Sequence, residues 1–243
     1  LGVAKKFTPP KNIEKKYGAS LRRVAKNVGD IVEPHIVNGR IQDPDKMKAS
    51  LAAYSSLLGP WAEKVAADML RGVSLRLRSD FIAASKSVGL ELRNLISDSG
   101  IGQVARQLQE RQVQLIRSLP LEAGIRAQKI SMDAVITGMR AEESAAKLLE
   151  TEAVTAARAT LIARTETAKA TSAITQARAQ SIGSDTYIWR TAADGDVRES
   201  HAEMEGTVCN FSSPPTLSDG ESHNPGEIYN CRCYAEVIFG SGR

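Results

Sequence analysis

Residues 141–182, AEESAAKLLETEAVTAARATLIARTETAKATSAITQARAQSI, decide the fold class of this chain. The segment contains neither proline nor glycine, and Gly183 follows where a residue of left-handed backbone closes a helix. It reads as one helix, about 60 Å long if unbroken at 1.5 Å per residue. Its apolar face is largely alanine with Leu149, Val154, Leu161, Ile162 and Ile174, so neighbouring helices can approach closely. A structural strut is the expectation for it.

Helical periodicity also dominates upstream. Asp43-Pro44 opens a helix as a cap followed by proline, Met47, Leu51, Tyr54 and Leu58 share one face, and Gly59-Pro60 ends it. From Trp61 the apolar positions run Val65, Met69, Val73, Leu77, Phe81, Ala84, Val88, Leu92 and Leu95. Each four-residue step advances about 40° beyond a full turn, so this stripe winds around its helix and must meet more than one partner. Ser97 to Gly100 breaks the pattern, and a shorter helix carries Val104, Leu108, Val113, Leu115 and Ile116. Leu119-Pro120 is predicted to turn the chain before another helix reaches about Gly138.

Downstream of Gly183 the period changes to alternation. Thr186 to Thr191 reads as a strand and Asp194-Gly195 as a tight turn. Asp196, three residues before Glu199, is predicted to cap a short helix with Val197, His201 and Met204 on one side. Residues 206–229 are loop-rich, with Pro214-Pro215, Asp219-Gly220 and Pro225-Gly226. In the final strand Cys231, Cys233, Ala235, Val237 and Phe239 share one face, and Arg232, Tyr234, Glu236 and Ile238 the other. The expected fold is mainly α, an elongated helical body with a small C-terminal α+β module. Its divisions are a basic N-terminal arm over 1–42, the body over 43–183 and the module over 184–243.

Composition sets the outer limits. A chain of 243 residues, 42% hydrophobic and 25% charged, can bury a core and is not of disordered type. Only 5% of residues are aromatic, which suits close packing of small side chains. No stretch approaches twenty apolar residues, and Leu1 to Lys16 lacks an apolar signal-peptide core, so neither a membrane span nor a signal peptide is expected. Three cysteines, an odd number, argue against a disulfide framework and for reduced thiols in a cytosol.

Charge is uneven. Lys5, Lys6, Lys11, Lys15, Lys16, Arg22, Arg23 and Lys26 face only Glu14 within residues 1–26, a local balance of +7 in a chain of net charge +4. Such an arm can lie on nucleic acid or on an acidic protein surface, or remain a solvated tail.

All three cysteines and two of the three histidines fall between His201 and Cys233. Around them the motif residues are Arg164, Thr165 and Glu166 on the long helix, Trp189, then Asp196, Arg198 and His201, then Gly206, then Pro225 and Gly226, then Asn230, Cys231 and Cys233. Their order and spacing resemble the Mu F-like minor head, or head morphogenesis, proteins of tailed bacteriophages, over roughly residues 110–240. The resemblance implies a virion protein of the head interior near the portal vertex, assembled in the host cytoplasm. It implies the portal protein as partner, with major capsid or scaffold protein and double-stranded DNA as further candidates, and a role in DNA packaging or ejection.

The chemical reading of the same tract is a zinc site drawn from His201, Cys209, His223, Cys231 and Cys233, since imidazole and thiolate are suitable ligands. In a regular strand Cys231 and Cys233 would stand about 7 Å apart, whereas two sulfurs on one tetrahedral ion lie about 3.8 Å apart. Both can bind only if Cys231 lies in the preceding turn. The competing reading makes these cysteines small buried hydrophobes, with no cofactor.

His201-Ala202-Glu203, followed by Pro225 and paired cysteines, loosely imitates a zinc deaminase. One residue instead of two separates the cysteines, and the proline lies six residues upstream, so the imitation is poor. Asp196, Arg198, His201, Glu203 and Glu205 can also be assembled into a nuclease-like acid–base set. The plainer expectation is that Asp196 and Glu199 cap, Glu203 and Glu205 are solvated, and Arg198 or Arg232 pairs with a carboxylate. The chain is therefore expected to be a non-enzymatic head protein. The alternative is a metal-dependent enzyme or toxin-like effector, of nuclease or deaminase type, built on the His201/Cys231/Cys233 tract.

Overall fold

The computed structural model describes residues 7–87 and 101–239. Lys5 and Lys6, the stripe positions Val88, Leu92 and Leu95, and the break at residues 97–100 lie outside the described residues. The elements run α1 (Lys11–Val32), a 3-10 turn (Glu33–His35), β1 (Ile36–Val37), β2 (Arg40–Ile41), α2 (Pro44–Leu57), α3 (Gly59–Ser87) and α4 (Ile101–Thr137). They continue with α5 (Ala141–Ser181), β3 (Thr186–Arg190), α6 (Glu199–Ala202), β4 (Val208–Asn210) and β5 (Tyr234–Val237). The chain is mainly α with a small C-terminal α+β module, as its periodicity predicts. None of the described helices is long and apolar enough to cross a membrane.

The basic segment from Lys11 is a helix, not an extended arm. Tyr17, Leu21, Val24, Val28 and Val32 recur at three- and four-residue intervals and are all buried. That spacing gives α1 a core-facing side. The opposite side carries Lys11, Lys15, Lys16, Arg22, Arg23 and Lys26, all exposed.

Pro120 lies inside α4 and does not end it. A mid-helix proline lacks the N–H that would bond the carbonyl one turn back and crowds that turn. Here hydroxyls serve the turn before it: Ser55 Oγ donates to the Arg117 carbonyl at 2.8 Å, and Ser118 Oγ to the Leu115 carbonyl at 3.0 Å. Ile116, Leu119 and Ala123 are buried on either side, so packing holds the helix through the defect.

Two compact units divide the described chain, one of residues 7–14, 68–87, 101–109 and 164–239, the other of residues 15–67 and 110–163. The winding stripe of α3 is shared out between them. Its first positions, Trp61 and Val65, are half-buried in the second unit, and Met69, Val73, Leu77 and Phe81 are buried in the first.

In the second unit Val28, Val32, Ile41, Met47, Leu51, Ala123, Ala127 and Leu148 form a core cluster. Asp43 caps α2 by accepting from the Lys46 amide at 2.9 Å. Asn38 and Gly39, with φ of 48° and 71°, form the two-residue turn between β1 and β2. Leu121, Ile125, Met132, Val135 and Ile136 of α4 are exposed. At 100° per residue they fall within about 100° of the helix circumference, one side of the helix, with Gln128 among them.

In the first unit, β3 is the centre of an antiparallel sheet ordered β4-β3-β5. Tyr187 registers with Cys209 on one side and Val237 on the other, and Trp189 with Ala235. Phe81 of α3 makes edge contacts with Phe7 at 5.0 Å and Phe239 at 5.9 Å between ring centroids. Arg178 of α5, almost wholly buried, donates to Ser74 Oγ at 2.9 Å.

Candidate functional site

The turn that ends at Asn230 decides where the cysteines go. Asn230 adopts φ 57°, its amide donates to Thr165 Oγ1 at 3.1 Å, and its Oδ1 accepts from Arg164 at 3.2 Å. Arg164 also faces Glu14 at 3.7 Å. Two residues of α5 thus hold the turn, with Glu166 buried beside them. Gly226 (φ 85°) comes so near α5 that an added Cβ would lie 3.3 Å from the Ala168 carbonyl oxygen and 3.2 Å from that of Cys233. Both a left-handed backbone and close approach require glycine there. Pro225, which precedes it, is buried.

Cys231 and Cys233 therefore lie ahead of β5, as ligation of a common ion requires. Burial still alternates from Cys231 to Val237. His201 Nδ1 stands 3.5 Å from the sulfur of Cys231 and 3.5 Å from that of Cys233. The three ligand atoms lie within 4.8 Å of one another, and all three residues are buried. His201 is delivered by α6, a single turn whose ring meets Trp189 edge-on at 5.6 Å. His223 lies 5.8 Å from Trp189 and 5.2 Å from His201 between ring centroids.

A hydrogen bond from Cys233 pulls the Cys231 thiol well below its ordinary range, and the same pairing, with burial, pushes Cys233 upward. The Cys233 amide also points to the Cys231 sulfur at 3.4 Å. Cys209 is drawn elsewhere: β4 pairs it with Tyr187, its sulfur faces the Thr207 carbonyl at 3.8 Å, and burial raises its pKa. It does not join the cluster.

The acidic residues differ from expectation. Asp196 does not cap α6, whose N-cap is Arg198 without a side-chain bond. Instead Arg232 takes Asp194 at 2.5 Å and Asp196 at 3.2 Å. An ion pair to a guanidinium outcompetes a one-turn cap. Arg198 donates to the Tyr229 carbonyl at 2.9 Å. Glu205 is exposed yet engaged, accepting from the Thr191 amide at 2.6 Å and hydroxyl at 2.8 Å and from Arg190 at 3.2 Å. Glu203 is exposed. Gly206 returns the chain to the sheet, its amide donating to the Trp189 carbonyl at 2.9 Å.

Sequence reasoning missed Asn224, which is almost fully buried. Its Oδ1 accepts from Tyr187 at 2.9 Å, and its side-chain amide donates to the Phe211 carbonyl and to Glu227. The Asn224-Pro225 pair, a turn-initiating dipeptide, was the available signal.

Beside the cluster the cavity lined by Val197, Arg198, His201, Cys231 and Cys233 measures about 10 Å³, room for at most one water. A larger cavity of about 300 Å³ in the same unit includes Lys11, Arg76, Asp194 and Arg232, and no histidine or cysteine lines it.

Residues 126–236 match the family described as Phage Mu protein F like protein. A protein of Haemophilus influenzae, described only as uncharacterized, is 33% identical over 146 residues, which are 60% of this chain and 32% of that protein. No solved structure matches the chain.

Proposed function

We propose, from the match of residues 126–236 to the family described as Phage Mu protein F like protein, that this chain is a non-enzymatic component of a tailed-phage head, associated with the portal and acting in head assembly. The carrying observation is that motif residues are engaged in holding the turns around the module. Arg164 and Thr165 fix Asn230, Arg198 fixes Tyr229, Arg232 gathers Asp194 and Asp196, and Gly226 fits against α5. Side chains spent on holding backbone serve architecture. The metal-dependent enzyme reading has less support, since the cavity beside His201 is small, about 10 Å³.

The large apolar side chains exposed on one side of α4 support a protein partner, because clustered exposed apolar residues mark association sites. Changing Ile125, Met132 and Ile136 together to Asp should abolish co-purification with the portal while leaving the circular dichroism spectrum unchanged. Retained binding would remove α4 from the interface, and no binding by the wild-type chain would remove the portal.

The exposed cations of α1 support a contact with double-stranded DNA during packaging or ejection. Each neutralised phosphate contributes about 0.9 to the slope of log affinity against log salt. Replacing Lys11, Lys15, Lys16, Arg22 and Arg23 by Gln should flatten that slope, read by titration at several salt concentrations. An unchanged slope places the DNA contact elsewhere.

A further inference from the structure

The geometry points to a structural zinc site formed by His201 Nδ1, Cys231 Sγ and Cys233 Sγ, completed by His223 Nε2. A nitrogen at about 2.0 Å and a sulfur at about 2.3 Å from one tetrahedral zinc lie about 3.5 Å apart. Both distances from His201 Nδ1 to the sulfurs are 3.5 Å. Both sulfurs thus already stand at the separation from the imidazole nitrogen that one zinc would impose. Four groups contribute to the arrangement: the left-handed turn at Asn230, the α5 residues holding it, Gly226, and the α6 turn carrying His201.

His223 supplies the fourth donor through its tautomer. A backbone carbonyl can only accept, so the 3.0 Å contact between His223 Nδ1 and the Asn224 carbonyl puts the ring proton on Nδ1. Nε2 is left with an open lone pair, buried and without a hydrogen-bond partner. An orphaned buried acceptor calls for an unseen partner. Two imidazoles on one tetrahedral zinc hold their ring centroids about 5 Å apart, and the His201 and His223 centroids are 5.2 Å apart. The carbonyl bond on Nδ1 is also the second contact that orients most metal-bound histidines. The His223 donor lies outside the 4.8 Å triad, so binding draws its ring inward.

The donor set is two sulfurs and two nitrogens, the composition of closed structural zinc sites. Four protein ligands leave no open position, and the small cavity admits no substrate. Zinc here ties α6, the 223–233 loop and the start of β5 to one point, a role independent of the head-assembly reading.

The test is metal analysis of the full reduced chain, with cobalt(II) as a spectroscopic substitute. One zinc per chain is expected in the wild type and in Cys209→Ser, falling to near zero in Cys231→Ser and Cys233→Ser. Cobalt(II) added to the chelator-stripped chain should give tetrahedral visible bands and a near-ultraviolet thiolate band. His223→Gln should change the visible bands while keeping the thiolate band. Absence of zinc from freshly purified wild type, together with no cobalt spectrum, overturns the site even if the cysteine variants fail to fold. An unchanged cobalt spectrum in His223→Gln overturns the fourth ligand. Equal metal loss from Cys209→Ser would move the site off the triad.

Discussion

Trp189→Ala should cost about 3–5 kcal/mol and expose the C-terminal module to protease. The indole is fully buried on the central strand, registers with Ala235, and packs against both His201 and His223. Its loss leaves a cavity where the sheet, α6 and the 223–233 loop meet. Such a cost is a large share of a domain's total stability, commonly about 5–15 kcal/mol. Hydrogen exchange should rise first at residues 186–237. The core cluster of Val28, Met47, Leu51 and Leu148, in the other unit, should keep its protection longer. Unchanged exchange across β3 and β5 would show that Trp189 is not the keystone of the module.

Gly39→Ala should lower stability by about 3 kcal/mol or more, the upper end for a strained backbone position. Gly39 combines φ 71° with extreme proximity, for an added Cβ would lie 2.0 Å from the Ala141 carbonyl oxygen. That atom is backbone and cannot rotate away. For a chain of this size the loss corresponds to a fall in Tm of about 6–12 °C. Gly138 has a similar φ of 66° but nothing within 4 Å, so Gly138→Ala carries only backbone strain and should cost about 1 kcal/mol. Equal melting temperatures for the two variants would show that the contact with Ala141 relaxes freely.

What the sequence disclosed of this fold was its local part. The long helix was expected over 141–182 and spans Ala141–Ser181, and the strand at 186–191 spans Thr186–Arg190. Both have sustained periodicity and clear stop signals, which need no distant partner. Errors arose where distant residues decide. Pro120 reads as a turn because the tertiary packing that buries Ile116, Leu119 and Ala123 around it is invisible to a local pattern. Asp196 looked like a cap because Arg232, 36 residues later, claims its carboxylate. α1 is different: the spacing of Tyr17, Leu21, Val24 and Val28 is legible in the sequence, and its dense cations occupy only the opposite side.

The candidate site was legible as composition but not as a set of ligands. Five cysteines and histidines were near in sequence, and the structure brings His201, Cys231 and Cys233 together with the His223 ring alongside. Cys209 was excluded by sheet register, which spacing does not encode. Cys231 escaped the strand geometry that seemed to forbid a pair because Arg164 and Thr165, far upstream, pin the turn before it.

The burial of all three thiols, each 7% exposed or less, makes the chain its own clock. A small thiol reagent can react only when the surrounding structure opens, so labelling rates convert local opening into chemistry. Cys209 reports the β3–β4 edge, whereas Cys231 and Cys233 report the loop pinned to α5. If labelling of Cys209 outruns that of the other two, the edge strand frays before the loop releases. If the proposed contacts with portal or DNA form, adding either should slow labelling of the thiol whose opening it suppresses.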